Sequence, residues 1–193
     1  MSLTLTVDGD RWRQHLLDFA GRTPGLVPVA KGNGYGFTLG RLARRAQWLD
    51  DKSPSTGTPV DMVAVGTYAE VPEVDSRFDG DILVLTPWRP VGAEAANGGS
   101  SGRIIHTVSR LDDLAGLTEQ RPGARFVLEQ LTSMRRHGMT RRDLEQAATT
   151  ISAQRLRGLA GVAVHLPINT GSHLGEATRL LNDVVASGLS TRT

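Results

Sequence analysis

Cysteine is absent from this sequence of 193 residues. Its absence excludes disulfide bonds, thiolate metal ligands and a cysteine nucleophile, and it leaves the redox compartment undetermined. Long apolar runs are absent too, since no segment approaches the ~18 residues of a membrane span, and the amino terminus lacks the pattern of a signal peptide. These absences predict a soluble, unexported chain with no membrane partner and no metal site, for which the cytoplasm is the default location.

Lysine is scarce, which makes one of its positions informative. The sequence has 22 basic residues, of which only Lys31 and Lys52 are lysines, and 20 acidic residues, so the net charge is +2. A balance so close to neutral gives no reason to expect nucleic acid as a partner. Lys31 ends a short apolar run and directly precedes a glycine-spaced turn.

Short apolar runs alternate with amphipathic helical patterns along most of the chain. With 39% hydrophobic residues, the chain has the length and composition of one globular domain. Buried strands are predicted at residues 26–31, 60–66, 81–86, 103–108, 123–131 and 158–166. Helices are predicted at residues 10–20, 38–49, 109–117, 140–152 and 176–186. Asp8 or Asp10, Ser109 and Thr140 are candidate helix caps, and a cluster of glycine and serine at 97–102 predicts a surface loop.

This alternation is typical of parallel βαβ units in an α/β fold. An open doubly wound sheet can stop at six strands, whereas an eight-stranded barrel needs about 250 residues, so periodicity alone favours the open sheet narrowly. In both architectures functional side chains collect at the carboxyl ends of the strands. The residues at those positions are Lys31, Tyr35, Thr67, Tyr68, Thr86, His106, Thr107, Glu129, Thr132, Arg136 and His165.

The segment Val27–Phe37, VPVAKGNGYGF, contains the most informative of these positions. Its three glycines at alternate positions allow positive φ and let backbone amides approach a ligand closely. Their spacing is GxGxG, which lacks the third glycine of the dinucleotide fingerprint. On these residues alone a structural interpretation stays open, in which Lys31 marks a strand end beside a plain tight turn.

Three motifs, in the same order along the chain, resemble the alanine racemase family. The family's signature is a strand that ends in a lysine and continues into a KANAYGHG-like loop, which is matched here by Lys31, Asn33, Tyr35 and Gly36. After the fifth predicted strand, the family's TGMxRxG pattern is matched by Thr132, Met134, Arg136 and Gly138. Val164 and His165 match the family's pattern at the end of the sixth strand.

The resemblance implies a pyridoxal 5'-phosphate enzyme on a (β/α)8 TIM-type barrel that interconverts L- and D-alanine. By match, Lys31 holds the cofactor as a Schiff base and serves as the catalytic base at the substrate Cα. Tyr35 matches a tyrosine that contacts the cofactor phosphate, and His165 matches a histidine beneath the pyridine ring. Arg136 matches an arginine beside the cofactor and the substrate carboxylate. The implied partners are a small amino-acid substrate and the second subunit of a homodimer.

The chain departs from the family pattern after the fifth strand. The family has a lysine, often carbamoylated, where this chain has Glu129, and its aspartate and glycine are replaced by Leu131 and Ser133. Because glutamate also supplies a carboxylate, we hypothesise that Glu129 holds Arg136 without the modification.

The resemblance concerns only the amino-terminal part of the barrel. Residues 1–193 contain about six predicted strands, so we expect the carboxyl-terminal barrel strands and the following β-domain to be absent. The second catalytic tyrosine of the family would be absent with them, and this part alone is expected to be inactive. Two alternatives remain: a non-catalytic module that binds pyridoxal phosphate or an amino acid, and an interaction domain whose edge strands pair with a partner.

Overall fold

Strands and helices alternate in a computed structural model, which describes residue 4 and residues 6–90, 102–168 and 173–189. The strands in those ranges are β1 (Met62–Val65), β2 (Asp81–Pro87), β3 (Ile104–Val108), β4 (Arg125–Gln130) and β5 (Leu159–Val164). The helices are α1 (Gly9–Arg22), α2 (Leu39–Asp51), α3 (Ser53–Thr56), α4 (Val71–Asp75), α5 (Leu111–Gln120), α6 (Arg141–Ala153) and α7 (His173–Ala186). A 3₁₀ turn, Tyr68–Glu70, directly precedes α4.

The strands form one sheet whose order, β1-β2-β3-β4-β5, is the order of the chain. β3 and β4 pair in parallel, with His106 opposite Phe126, and β4 and β5 pair in parallel, with Leu128 opposite Val162. A doubly wound sheet reverses its strand order part-way, whereas a barrel adds each strand beside the preceding one. The observed order is that of a barrel. The parallel α/β prediction is therefore confirmed, and the narrow preference for an open sheet is wrong.

The first predicted strand, residues 26–31, is reduced to one isolated parallel bridge between Val29 and Ala64. The amide of Ala30 donates to the carbonyl of Ala64, and the amide of Ala64 donates to the carbonyl of Pro28, both at 2.8 Å. Proline has no N–H, so Pro28 can only accept. Among the described residues, five strands are therefore present where six were predicted.

The chain divides into two compact units, one of residues 1–66 and 70–82 and the other of residues 67–69 and 83–193. The first unit has a small buried core of Ala20, Leu49 and Val60, against which other apolar side chains of α1 and α2 pack. The guanidinium carbon of Arg45 lies 4.8 Å from the ring centre of Trp12 and 4.9 Å from that of Trp48. The contact with Trp12 connects α2 to α1, whereas the contact with Trp48 lies within α2.

In the second unit, β3 is buried along its whole length, whereas β5 is partly exposed. Helix α6 packs against β4, α5 and α7. Leu144 of α6 and Leu180 of α7 are fully buried, yet α7 also exposes Leu174, Leu181 and Val185. The apolar side chains of α7 therefore lie on two faces, only one of which is covered by described residues.

Two of the predicted helix caps are confirmed. The carboxylate of Asp8 accepts hydrogen bonds from the amides of Asp10 and Arg11 at the start of α1, both at 3.1 Å. At the start of α6, the hydroxyl of Thr140 accepts from the amide of Asp143, while the carboxylate of Asp143 accepts from the amide of Thr140. This reciprocal pair is a capping box.

The predicted cap at Ser109 is wrong. Helix α5 begins after Arg110, and the buried hydroxyl of Ser109 donates to the buried carboxylate of Glu129 at 2.6 Å. A buried carboxylate without a partner costs more free energy than exposed helix amides, which water can satisfy. The tertiary partner therefore determines where this hydroxyl points.

No helix in the described ranges is long and apolar enough to cross a membrane. In the same ranges, no three histidine, aspartate or glutamate side chains cluster as metal ligands do. The predicted loop at residues 97–102 lies outside the described residues except for Gly102.

Neighbouring leucines of α7 should differ sharply in their effect on stability. Leu180 is 1% exposed and Leu181 is 62% exposed. We expect Leu180→Ala to lower the free energy of unfolding by about 2–5 kcal/mol, since it leaves a cavity. Leu181→Ala should change it by less than about 0.5 kcal/mol, since water already surrounds that side chain. Urea denaturation of both variants measures the difference, and equal losses would contradict the packing of α7.

Candidate functional site

Lys31 follows the buried Ala30 and begins a loop that leads to α2. The glycines of this loop all have positive φ: 58° at Gly32, 66° at Gly34 and 87° at Gly36. At Gly34 a Cβ atom would lie only 2.3 Å from the backbone carbon of Thr38, so no other residue fits there. The glycine spacing is therefore a requirement of this loop's conformation, as the sequence indicated.

Tyr35 lies at the tip of the same loop, with a φ of 55° and 61% of its surface exposed. The side-chain oxygen of Asn33 accepts from the amide of Gly36 at 3.2 Å, which closes the turn around Tyr35. Phe37 stacks on Trp12 of α1, with ring centres 5.2 Å apart. The loop is thus held at both ends of the turn while the phenol is free to contact a ligand.

Glu70 joins the lysine loop to the end of β1. One carboxylate oxygen accepts from the amide of Gly32 at 2.7 Å, and the other accepts from the amide of Gly66 at 2.6 Å. Sequence reasoning missed this residue, because Glu70 is distant from Lys31 along the chain. The available signal was a carboxylate four residues after a glycine at a strand end, because an acidic side chain at that distance can accept from the glycine amide.

In the second unit, Arg136 and His165 are brought together as the strand-end prediction required. The arginine Nη2 lies 3.1 Å from the histidine Nδ1. The hydroxyl of Thr132 donates to the carbonyl of His165 at 2.6 Å. Two neighbouring strand ends, those of β4 and β5, are thereby connected.

The loop that carries Arg136 is tied down at both ends. Gln130 and Met139 form a parallel bridge, and the amide and hydroxyl of Ser133 donate to the carboxylate of Glu176 on α7, at 2.6 and 2.8 Å. These two hydrogen bonds lower the pKa of Glu176, with a smaller effect from the charge of Arg179. The serine that replaces the family's glycine therefore has a structural partner.

The hypothesis that Glu129 holds Arg136 is wrong in this structure. Among the described residues, Glu129 has its contact with the hydroxyl of Ser109, and Arg136 has its contact with His165. Burial of Glu129 within the sheet favours the nearby hydroxyl, while the arginine side chain lies exposed on its loop.

Tyr68 and His106 form a buried hydrogen-bonded pair, with the tyrosine hydroxyl 2.8 Å from the histidine Nδ1. Burial lowers the pKa of His106 from 6.5 to about 4, and the charge of Arg121 acts in the same direction. Burial also raises the pKa of Tyr68, against a smaller opposing effect of Arg121. Both groups are therefore neutral near pH 7. Their contribution to a functional site at the strand ends stays a prediction.

The predicted site residues fall into two local groups. Lys31 and Tyr35 share the glycine loop of the first unit, and Arg136 and His165 share a hydrogen bond in the second. A cavity of about 540 Å³ is lined by residues of α1 and α3 and so does not coincide with a strand end.

The family model described as alanine racemase, N-terminal domain, matches residues 7–183. The chain belongs to this family. The match extends over nearly the whole chain and includes both groups of predicted site residues. The resemblance inferred from the motifs at Lys31, Arg136 and His165 is therefore confirmed.

Solved structures of alanine racemases share the fold. The enzyme from Corynebacterium glutamicum superposes with a TM-score of 0.69 at 16% identity, over 92% of this chain and 49% of its own. The enzyme from Bartonella henselae, solved with covalently bound pyridoxal phosphate, has a TM-score of 0.67 at 15% identity, over 91% of this chain and 50% of its own. The fold is thus that of an incomplete TIM-type barrel.

The same fold occurs in an enzyme with another activity. The arginine decarboxylase of Paramecium bursaria Chlorella virus, solved with agmatine, has a TM-score of 0.54 at 10% identity, over 92% of this chain and 49% of its own. This chain therefore spans about half the length of the enzymes it matches. A comparison with curated protein sequences found no match.

Acid should destabilise the protein through His106. Its folded pKa of about 4 lies below its ordinary 6.5, so between these values the unfolded chain binds a proton that the folded chain does not. We expect the free energy of unfolding to fall as pH is lowered through this window, by up to about 3 kcal/mol from this group. Urea denaturation at several pH values should show a smaller loss in His106→Gln. The matched variant of the exposed His137, His137→Gln, should behave as wild type, and equal behaviour of the two variants would refute the assignment.

Two glycines of the lysine loop should differ in their tolerance of alanine. At Gly36 a Cβ meets nothing within 4 Å, so Gly36→Ala should cost only the roughly 1–2 kcal/mol of a positive φ. Gly34→Ala should cost at least twice as much, because its Cβ overlaps the backbone at Thr38. Urea midpoints of the two variants check this, and an equally mild effect would show that the loop has another conformation.

Proposed function

We propose that residues 1–193 are the amino-terminal part of a pyridoxal phosphate-dependent amino-acid racemase of the alanine racemase type. The observation that supports this most strongly is the family match over residues 7–183, in which Lys31 occupies the end of the segment before the glycine loop. The fold alone would also suit a decarboxylase. The proposed site consists of Lys31, Tyr35, Arg136 and His165.

The surroundings of Lys31 fit a cofactor-binding lysine. Gly66 lacks a Cβ, and one placed there would lie 3.1 Å from the Cβ of Lys31, so the glycine leaves room for the base of the lysine side chain. Lys31 itself is exposed, and among the described residues no carboxylate forms an ion pair with it. Its amine is therefore accessible to an aldehyde carbon, which the neutral amine form of a lysine attacks.

Arg136 and His165 supply complementary groups. Arginine is always a donor, so the hydrogen bond at 3.1 Å requires the Nδ1 of His165 to accept. In that tautomer the imidazole carries a proton on Nε2. The guanidinium can bind the carboxylate of an amino acid, while the imidazole ring can pack beside a heteroaromatic ring.

Pyridoxal phosphate, when bound, withdraws electrons from the Cα of an amino acid and so makes its Cα–H acidic. Lys31 then removes or returns a proton at that carbon through Nζ. Tyr35, exposed at the tip of the glycine turn, offers its hydroxyl to the phosphate.

A non-catalytic binding module is the second candidate, and one observation favours it. A two-base racemisation needs an acid or base on the face opposite the lysine, a role that the family gives to a tyrosine. The sequence contains two tyrosines, and Tyr68 is buried against His106. Tyr35 shares its loop with Lys31 and so does not fill that role in this proposal.

Lysine-bound pyridoxal phosphate gives an absorbance band in the near-ultraviolet to visible range, which tests the proposal directly. We expect the band to appear when the cofactor is added to wild type, and to be lost in Lys31→Ala because the attacking amine is gone. Lys52→Ala is the matched control, since Lys52 is the other lysine of the sequence, and it should retain the band. Absence of the band in wild type at saturating cofactor would exclude cofactor binding by this chain.

Interconversion of L- and D-alanine then separates a racemase from a binding module. We expect a form extended by the remaining barrel strands to convert either enantiomer, and residues 1–193 alone to bind the cofactor without conversion. Racemisation by the 193-residue chain would show that it already contains both bases.

A further inference from the structure

We propose that Glu70 is a positioning residue for the amine of Lys31, an inference that rests on the proposed function. Glu70 does not belong to the motifs that resemble the family signature, and it lies in the 3₁₀ turn after β1. Its role follows from which two backbone amides it binds.

One carboxylate oxygen of Glu70 accepts from the amide of Gly32 at 2.7 Å, and the other accepts from the amide of Gly66 at 2.6 Å. Such short bonds are typical of a charged acceptor, and they are about twice as strong as neutral ones. Gly32 follows Lys31 directly in the chain, and Gly66 lies beside the Cβ of Lys31. One side chain thus connects two neighbours of the lysine.

These bonds complete the fixation of the lysine backbone. On the amino-terminal side, Ala30 is held by its hydrogen bond to the carbonyl of Ala64 in β1. On the other side, Gly32 has a φ of 58° and no regular strand partner among the described residues. The carbonyl of Lys31 accepts from the amide of Gly34 at 3.0 Å, so this peptide is held through its carbonyl by the loop and through its N–H by Glu70. Loss of the Glu70 contact would leave one of these two bonds and widen the range of directions in which the lysine side chain leaves the strand end. Fixing that direction in advance lowers the entropy lost when the amine engages an aldehyde.

Only a carboxylate can make both bonds at once. Glutamine has the same length but a single acceptor oxygen, and its NH₂ group would face the second amide as donor against donor. Glu70→Gln therefore removes one bond and the charge while it keeps the volume of the side chain. Glu73 provides the matched control, because it also binds a backbone amide, that of Gly40 at 3.0 Å, on the far side of the loop.

The experiment compares wild type with Glu70→Gln and Glu73→Gln by two measurements. Hydrogen exchange of the Gly32 and Gly66 amides, followed by NMR without cofactor, reports the bonds themselves. Titration with pyridoxal phosphate, followed by the absorbance of the lysine-bound form, reports the positioning of the amine. Urea denaturation confirms that both variants are folded to a similar extent.

We expect Glu70→Gln to speed exchange of at least one of the two amides and to weaken apparent cofactor affinity about tenfold, since a charge-assisted bond is lost. Glu73→Gln should leave the exchange of the two amides and the apparent cofactor affinity unchanged. Unchanged affinity in Glu70→Gln, or equal weakening in the two variants, would overturn the inference and leave the proposed function intact. Absence of the absorbance band in wild type would overturn the proposed function and this inference together.

Discussion

The placement of Lys31 depends on a single parallel bridge between backbone atoms. Pro28 and Ala30 exchange hydrogen bonds with Ala64 of β1, and this pairing places the lysine at the end of the strand rather than along it. The bridge is made by backbone atoms alone, and the side chain of Ala30 is buried beside it. Everything proposed for the lysine begins from this short piece of sheet.

Polar side chains at the strand ends have two different uses in this protein. Some, such as Tyr35 and Arg136, are exposed and can contact a ligand, while others are buried and bind another side chain of the protein. Tyr68 and His106 satisfy each other, and Glu129 is satisfied by Ser109. Burial decides between the two uses, because a polar group that is removed from water costs free energy unless it forms a hydrogen bond within the protein.

Prediction from the sequence worked best where the physical cause is local. Apolar periodicity located the five strands and the five longer helices in the described ranges but missed the short α3, and capping chemistry located the start of α6 at Thr140. It was weaker where two distant segments compete for one group. Ser109 had the chemistry of a helix cap but lies within reach of a buried carboxylate, and Glu70 had no local signal that would connect it with Gly32.

The sequence by itself determined the type of the five strands and of the longer helices, the glycine turn after Lys31 and the motifs that carry the family resemblance, because these depend on residues close together in the chain. Only the tertiary structure decided the strand order, the partner of Glu129 and the bond between Arg136 and His165. Each of these joins residues that are far apart in sequence, and their pairing depends on which groups burial brings within hydrogen-bonding distance.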